Sequence, residues 1–256
     1  MRPSVNVRWC TENIVAARGL LSFPFAMTFA ALALFDIDGT LVRRAGVHHR
    51  EALVYGVRRV TGLETTTEGI PVQGMLDPDI IVVMMRNAGA ARALIRESLP
   101  EIQRAAERFY LRECPPLHDK HCPAVEETLL HLTSHGVLLA LVTGNLTRIG
   151  WRKLHRAGLR RHFRFGAFGE MAKTRAGLAK LAIAEARRRR WIGPATPISL
   201  IGDATSDIVA AQSNRIRSIS VETGITPPQD LIALKPDFLL RDLRKLRLRM
   251  LGLPRA

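Results

Sequence analysis

Phe35-Asp36-Ile37-Asp38-Gly39-Thr40-Leu41 is the stretch that decides the fold of this 256-residue chain. Residues 31–34 before it are apolar, and together with Phe35 they predict a short strand that is buried on both faces. Asp36 and Asp38 are two residues apart, so along extended backbone their side chains point the same way. Two convergent carboxylates at the carboxyl end of a strand form a hard-oxygen site suited to Mg²⁺. The alternative is an Asp-Gly turn with incidental acidic residues.

Two later segments repeat this arrangement and weaken that alternative. Residues 136–142 form a second apolar stretch that ends in Thr143-Gly144-Asn145, and residues 198–202 form a third that runs into Asp203 and Asp207. The carboxyl ends of parallel strands meet at one edge of a sheet, so side chains far apart in sequence converge there. The alternation of strands and helices along the chain predicts an α/β protein with a parallel sheet and helices on both faces.

These motifs, in this order, resemble those of the haloacid dehalogenase superfamily of phosphohydrolases. The chain carries DxDGTL at residues 36–41, a strand that ends in Thr143-Gly144, then a basic residue, and GDxxxD at residues 202–207. The segment 71–78 also resembles the cap region of the phosphoglycolate phosphatase-like branch, although Met75-Leu76 stands where that branch usually has a basic residue and Thr. This departure concerns the substrate contacts of the cap and leaves the core motifs intact.

The resemblance implies a Rossmann-like doubly wound parallel sheet with an inserted all-helical cap domain. On this hypothesis residues 27–41 and 122–256 form the α/β core. Residues 42–121 form the cap, and their periodicity predicts helices at 47–60, 79–87 and 101–113. Residues 1–26 are expected to be a poorly ordered N-terminal extension. A cap that closes over the sheet edge would exclude water from the reaction.

The chemistry that the resemblance implies is phosphoryl transfer through an aspartyl-phosphate. Asp36 is the expected nucleophile, and Asp38 is the expected general acid and base, the residue that the resemblance associates with phosphatases rather than dehalogenases. The expected ligands of Mg²⁺ are the Asp36 carboxylate, the Asp38 backbone carbonyl and Asp203. Asp207 is either a second ligand or a partner of a ligand. The predicted activity is therefore a Mg²⁺-dependent phosphatase acting on a small phosphomonoester.

The resemblance also implies how the phosphoryl group is held. Thr143 is expected to donate its hydroxyl to a phosphoryl oxygen, beside the backbone N–H groups of Gly144 and Asn145 at a helix start. A basic residue is expected to neutralise the phosphoryl group and the nucleophile. Lys173 is favoured because its spacing from the following helix resembles that of the family's lysine. Arg175 is the alternative, since some relatives use arginine just before that helix.

The formal net charge of +15 raises the question of a nucleic-acid partner. The densest basic runs are residues 187–190, which end a predicted helix, and residues 241–249, which are predicted to form a half-buried terminal helix with a solvated basic side. Basic residues spread over the surface are therefore the favoured explanation, and nucleic acid is not a favoured partner. A nucleic-acid-end phosphatase and a catalytically silent basic binding protein on the same fold stay as alternatives.

Cysteine usage and hydropathy bear on location. Three cysteines without CxxC spacing suggest neither a zinc site nor a disulfide framework and fit a reducing cytoplasm, and the histidines lack metal-ligand spacing. The uncharged stretch 19–35 contains Pro24, is short for a membrane span and passes directly into the first predicted strand. We therefore expect a cytoplasmic enzyme with no membrane partner, monomeric or homodimeric, that acts on a small phosphorylated substrate.

Overall fold

A single parallel sheet organises the protein, whose computed structural model describes residues 28–43 and 46–254. The predicted N-terminal extension, residues 1–26, lies outside the described residues. The strands are β1 (Ala31–Phe35), β2 (Val137–Val142), β3 (Phe165–Ala167), β4 (Ile198–Gly202), β5 (Arg217–Val221) and β6 (Phe238–Leu240). Their order in the sheet is β3-β2-β1-β4-β5-β6, with every neighbouring pair parallel. This is the strand order of a doubly wound Rossmann-like sheet, so the predicted fold class is confirmed.

Helices connect the strands and cover both faces of the sheet. Those between β1 and β2 are α1 (His48–Thr61), α2 (Asp77–Asn87), α3 (Arg92–Glu113) and α4 (Val125–Ser134). Those that follow are α5 (Thr147–Arg156), α6 (Arg175–Arg188), α7 (Thr205–Ser213) and α8 (Pro228–Ala233). We call α1, α2 and α3 the cap helices. Within the described residues no helix is both long and apolar enough to cross a membrane.

The two faces of β1 lie in different apolar clusters, which explains why the strand is apolar throughout. Ala33 and Phe35 pack with residues of the cap helices, α4 and α5, whereas Leu32 and Leu34 pack with residues of α6 and α7. Every residue of β1 is fully buried. A shift in the register of β1 would pull the Asp36 carboxylate into the apolar core or push Phe35 out of it, so the carboxyl end of the strand is fixed in space.

The cap helices pack closely against one another. A Cβ at Gly56 of α1 would lie 2.7 Å from the Ile102 carbonyl of α3, and the rings of Tyr55 and Phe109 stack beside this contact with their centroids 4.6 Å apart. The helices that the sequence predicts between the first two strands are therefore present. The boundaries of a cap domain at residues 42 and 121 stay a prediction.

Two elements differ from the sequence-based expectation. Helix α3 begins at Arg92, nine residues before the predicted start, and runs through Pro100. Proline removes one hydrogen bond from a helix interior, but the buried Ile95 and Ile102 anchor the helix on both sides of it. The expected helix at 241–249 is wrong, because the chain there makes two 3₁₀ turns, Leu243–Lys245 and Leu248–Leu251, whose leucines are buried.

We expect the sheet core to dominate the stability of the protein. Leu34→Ala removes a side chain with 0% exposure from the central strand, and we expect it to lower the free energy of unfolding by about 2–5 kcal/mol. Leu130→Ala is the matched control, since Leu130 is 52% exposed, and it should change that free energy by less than about 0.5 kcal/mol. Urea unfolding measures both, and equal losses would contradict this description of the core.

Candidate active site

The carboxyl ends of β1 and β4 place the acidic motifs next to each other. The two strands pair with Phe35 opposite Ile201, so Asp36 and Asp203 both follow within two residues of this pair. Strand β1 lies between β2 and β4, where the order of the strands reverses, and doubly wound sheets bind their ligands in the crevice at such a point.

Asp36, Asp203 and Asp207 form a compact carboxylate cluster. All three are buried, and one oxygen of each lies within 4.8 Å of the others. Arg175 pairs through Nη1 with Asp36 at 2.9 Å and with Asp207 at 3.2 Å. Among the residues that the structure describes, no other basic side chain forms an ion pair with this cluster. Three carboxylates therefore face one guanidinium, which leaves an excess of negative charge in a buried place.

The pKa values of the cluster follow from this crowding. Burial raises the pKa of the Asp203 carboxyl well above its ordinary value, and the Asp36 and Asp207 carboxylates raise it further. Burial also raises the pKa of Asp207, although Arg175 opposes the shift. The pKa of Arg175 is raised in spite of its burial because these carboxylates surround it. A divalent cation bound by carboxylate oxygens would relieve the repulsion, and hard oxygen ligands of this kind suit Mg²⁺.

Two glycines leave room beside Asp203. A Cβ at Gly39 or at Gly224 would overlap the Asp203 carboxylate. Gly39 also has a φ of +84°, a left-handed conformation that favours glycine. Thr40 and Gln73 donate to the two Asp203 oxygens at 3.1 Å and 2.6 Å. The residues present thus form a cradle around an acidic cluster that fits the predicted metal.

Asp38 lies beside this cluster but has different partners. Its carboxylate accepts from Lys153 Nζ at 2.6 Å and 2.7 Å, and from Asn145 Nδ2 at 2.8 Å. Its side chain is 44% exposed, whereas that of Lys153 is 1% exposed. Burial acts to raise the pKa of Asp38, but the Lys153 ammonium and the hydrogen bonds from Lys153 and Asn145 hold this pKa below its ordinary value. Asp38 therefore lies next to an ammonium, whereas Asp203 lies next to other carboxylates.

The cap helices reach Asp38 through Lys153. His49 of α1 lies 3.0 Å from Lys153 Nζ through its Nδ1 and 2.9 Å from Asp77 Oδ2 through its Nε2. The same Asp77 oxygen accepts from the backbone N–H of Leu146 at the start of α5. A continuous set of polar contacts therefore joins Asp38 to α1 and α2.

The predicted phosphate-binding residues separate into two groups. Gly144 and Asn145 line the cavity at the sheet edge. Thr143 is fully buried and does not line it; its hydroxyl accepts from the Asn145 side chain at 2.8 Å. The structure therefore brings Gly144 and Asn145 to the cavity and places Thr143 behind them.

Of the two candidate basic residues, the structure places Arg175 in the site and Lys173 outside it. Arg175 lines the cavity and pairs with Asp36. Lys173 is exposed and lies two residues before it, on the other side of Thr174, which caps α6. The sequence-based preference for Lys173 does not agree with this arrangement. Lys173 precedes α6 and is exposed, whereas Arg175 is the first residue of α6 and is buried.

The cavity itself lies between the cap helices and the carboxyl edge of the sheet. It has a volume of about 360 Å³. Asp36, Asp38 and Asp203 line it from the sheet, and His49 and Gln73 line it from the segment between β1 and β2. It is thus a cavity closed from two sides, with both polar and apolar lining residues, of a size that suits a small molecule.

Sequence reasoning missed Lys153, although a signal was present. Lys153 lies in the predicted helix that follows the second strand, on the face that also carries Ile149, Gly150 and Leu154. A lysine at a position of the apolar face is costly without a partner, and this could have marked it as a site residue. His49 and Asp77 gave no comparable signal, because their contacts depend on how the cap helices pack.

Comparisons with known proteins agree with this geometry. A family model described as haloacid dehalogenase-like hydrolase matches residues 30–214. The chain is 30% identical to the phosphoglycolate phosphatase of Agrobacterium fabrum over 220 residues, which cover 82% of this chain and 88% of that enzyme. It is 27% identical to the phosphoglycolate phosphatase of Pseudomonas syringae pv. syringae over 230 residues, or 87% of this chain and 80% of that enzyme.

Solved structures show the same fold. A predicted phosphatase from Clostridium acetobutylicum matches with a TM-score of 0.64 and 17% identity, covering 88% of this chain and 100% of that one. A β-phosphoglucomutase from Clostridium difficile matches with a TM-score of 0.64 and 16% identity, covering 88% of this chain and 96% of that one. At these identities the likeness concerns the fold alone. The family match extends over more than half of the chain, and it confirms the predicted class of phosphatase-type hydrolase. The chain belongs to the haloacid dehalogenase-like hydrolase family.

Proposed function

We propose that the protein is a Mg²⁺-dependent phosphatase that hydrolyses a small phosphomonoester through an aspartyl-phosphate on Asp36. The observation that carries the proposal is the placement of Asp36, a buried carboxylate that pairs with Arg175 and lines the cavity. Asp38, two residues further along, lines the same cavity, and its carboxylate pairs with Lys153. A nucleophile and an acid/base are thus adjacent but electrostatically distinct.

The reaction has two steps. A carboxylate oxygen of Asp36 forms a bond to phosphorus, and the bond from phosphorus to the leaving oxygen breaks with its electron pair. Asp38 gives the leaving oxygen a proton. In the second step a water oxygen attacks the phosphorus, Asp38 takes a proton from that water, and the Asp36 carboxylate and inorganic phosphate are released. Asp38 returns to its starting protonation state after each turnover.

Other residues hold the phosphoryl group and the metal. Arg175 offsets negative charge at Asp36 and at the incoming phosphate. Gly144 and Asn145 line the cavity as the proposed phosphoryl contacts, and the Thr143 hydroxyl behind them accepts from the Asn145 side chain at 2.8 Å and from its backbone N–H at 3.4 Å.

The metal ligands would be the Asp36 carboxylate, the Asp38 carbonyl and Asp203, with Asp207 as a further ligand or partner. Bound Mg²⁺ supplies positive charge that offsets the repulsion between nucleophile and phosphate. The cluster fits this ion because three carboxylates share a single guanidinium.

The substrate is proposed to be small and to carry a second anionic group. The cavity of about 360 Å³ has room for a small phosphomonoester rather than an oligonucleotide end. Arg43 and Arg50 line it, and in the described part of the chain neither has a carboxylate partner. Phosphoglycolate, which the curated relatives hydrolyse according to their names, has this character.

Location and assembly complete the proposal. Cys114 and Cys122 are free and buried, as suits a reducing cytoplasm. We propose a cytoplasmic monomer or homodimer. The net charge of +15 would help to draw phosphorylated substrates toward the cavity.

Replacing the nucleophile should abolish hydrolysis. We expect Asp36→Asn to lower the rate with p-nitrophenyl phosphate by at least about three orders of magnitude, because the covalent step is lost. Asp230→Asn is the control, since Asp230 is exposed on α8 and does not line the cavity. Circular dichroism and the unfolding midpoint show whether the fold is kept. Full activity of a folded Asp36→Asn protein would refute the mechanism.

Metal binding should be visible without any turnover. At a Mg²⁺ concentration about 100 times its Kd, binding stabilises the protein by about 2.7 kcal/mol, which corresponds to a rise in Tm of roughly 5–10 °C. Asp203→Asn should remove this rise while leaving the metal-free Tm equal or higher, because it deletes a buried negative charge. Thermal unfolding with and without Mg²⁺ measures both values. A rise of the same size in the variant would exclude Asp203 as a ligand.

The basic residue can be identified by paired variants. Arg175→Lys keeps the charge but loses the guanidinium that spans Asp36 and Asp207, and we expect kcat/KM to fall about 10²-fold. Lys173→Ala should stay within about twofold of the unchanged protein, because Lys173 is exposed outside the cavity. If steady-state kinetics gave a larger loss of kcat/KM for Lys173→Ala than for Arg175→Lys, Lys173 would be the basic residue of the site.

A further inference from the structure

We propose that Lys153 and His49 are positioning residues that together fix the Asp38 carboxylate in its reacting orientation, and that the cap helices supply half of this support. The inference rests on the proposed phosphatase function, since it concerns how Asp38 meets the leaving group. It assigns roles to two residues that neither the motifs nor the metal site account for.

The contacts of the Lys153 ammonium are with Asp38 and His49. It carries three N–H donors and no acceptor. Its nitrogen lies 2.6 Å and 2.7 Å from the two Asp38 oxygens and 3.0 Å from His49 Nδ1. Its side chain is 1% exposed, so it offers almost no surface to a substrate. Lys153 therefore acts through Asp38 and not on the substrate.

The hydrogen-bond pattern also fixes the role of His49. Since an ammonium can only donate, His49 Nδ1 accepts, and the ring proton lies on Nε2. That Nε2–H donates to Asp77 Oδ2 at 2.9 Å, and the ring packs edge-on against Tyr110 with centroids 5.8 Å apart. The imidazole is thereby held in one tautomer and one orientation. Its acceptor nitrogen anchors Lys153 from the side of the cap helices.

Burial makes this support specific. The Lys153 side chain is 1% exposed and the Asp77 side chain is 3% exposed. A buried ammonium is strongly destabilising when it lacks its partners, so its position is restricted to the place where all three acceptors meet. Asp38, by contrast, is 44% exposed at the cavity and lies beyond the end of β1. Its orientation therefore depends on Lys153 and Asn145 rather than on packing.

The dependence of the rate on the leaving group tests this role. Benzyl phosphate and p-nitrophenyl phosphate are similar in size, but only the first releases an alkoxide that needs a proton from Asp38. With Lys153→Met, we expect kcat/KM for benzyl phosphate to fall about 10²-fold, the usual contribution of general acid catalysis. The fall for p-nitrophenyl phosphate should be about fivefold or less. The KM for both substrates should change little, because Lys153 does not bind them.

Variants at His49 keep the proposal testable if Lys153→Met does not fold. His49→Leu removes the acceptor for Lys153 and should reproduce the selective loss on benzyl phosphate, about tenfold. His49→Asn places an oxygen acceptor near the position of Nδ1 and should restore most of that loss. Lys180→Met, at an exposed lysine, is the control for removal of a surface charge and should behave like the unchanged protein.

The outcomes separate the two proposals. Equal losses on both substrates would mean that Lys153 is merely structural, and would overturn the inference. A gain on benzyl phosphate would also overturn it, because that is the result expected if the ammonium only held Asp38 in its charged form. If the unchanged protein hydrolyses neither ester with Mg²⁺ present, the proposed function fails and this inference fails with it.

Discussion

Repulsion between buried carboxylates at one sheet edge is the constraint on which this site depends. Asp36, Asp203 and Asp207 lie within 4.8 Å of one another and are shielded from water. The positive charge of Arg175 lowers this repulsion. Arg175 lies in the first turn of α6, where the helix dipole disfavours a cation by roughly 0.3–1 kcal/mol. Breaking a buried ion pair costs about 3–5 kcal/mol, which is more than the effect of the helix dipole. The ion pairs with Asp36 and Asp207 therefore keep Arg175 at this position. Glycine is required at Gly39 and Gly224 for the same reason, because any side chain there would displace Asp203.

A second group of carboxylates attaches the cap helices to the core. Three consecutive backbone N–H groups at the start of α5 each donate to an acidic side chain from elsewhere in the chain, and two of these acids lie on α2 and α3. The pairs are Leu146 with Asp77, Thr147 with Glu170, and Arg148 with Glu107. Negative charge is favourable at a helix N-terminus, so the cap helices dock on the positive end of α5. These amides are therefore already occupied and have no donor left for an anion in the cavity.

The sequence predicts the sheet edge well because its signals are local. Each apolar strand is followed directly by its polar motif, and parallel strands must bring these ends together. The choice between Lys173 and Arg175 depends on a finer detail, the residue at which α6 begins, because Thr174 as cap directs one outward and the other inward. The position of Lys153 on the apolar face of α5 marks it as a buried lysine, but the sequence does not identify its partners. Only the packing of α5 against the cap helices shows that these partners are Asp38 and His49.

Asp36 and Asp38 both follow β1, but their surroundings differ because different parts of the fold contact them. Asp36 is buried and paired with Arg175, a residue of the core, so its environment is complete without the cap helices. Asp38 is more exposed and paired with Lys153, which is itself held by His49 of α1. Two carboxylates in unlike environments can take unlike roles in one reaction. The surroundings of the proposed nucleophile therefore come from the sheet and α6, whereas those of the proposed acid/base also need the contact between α1 and Lys153.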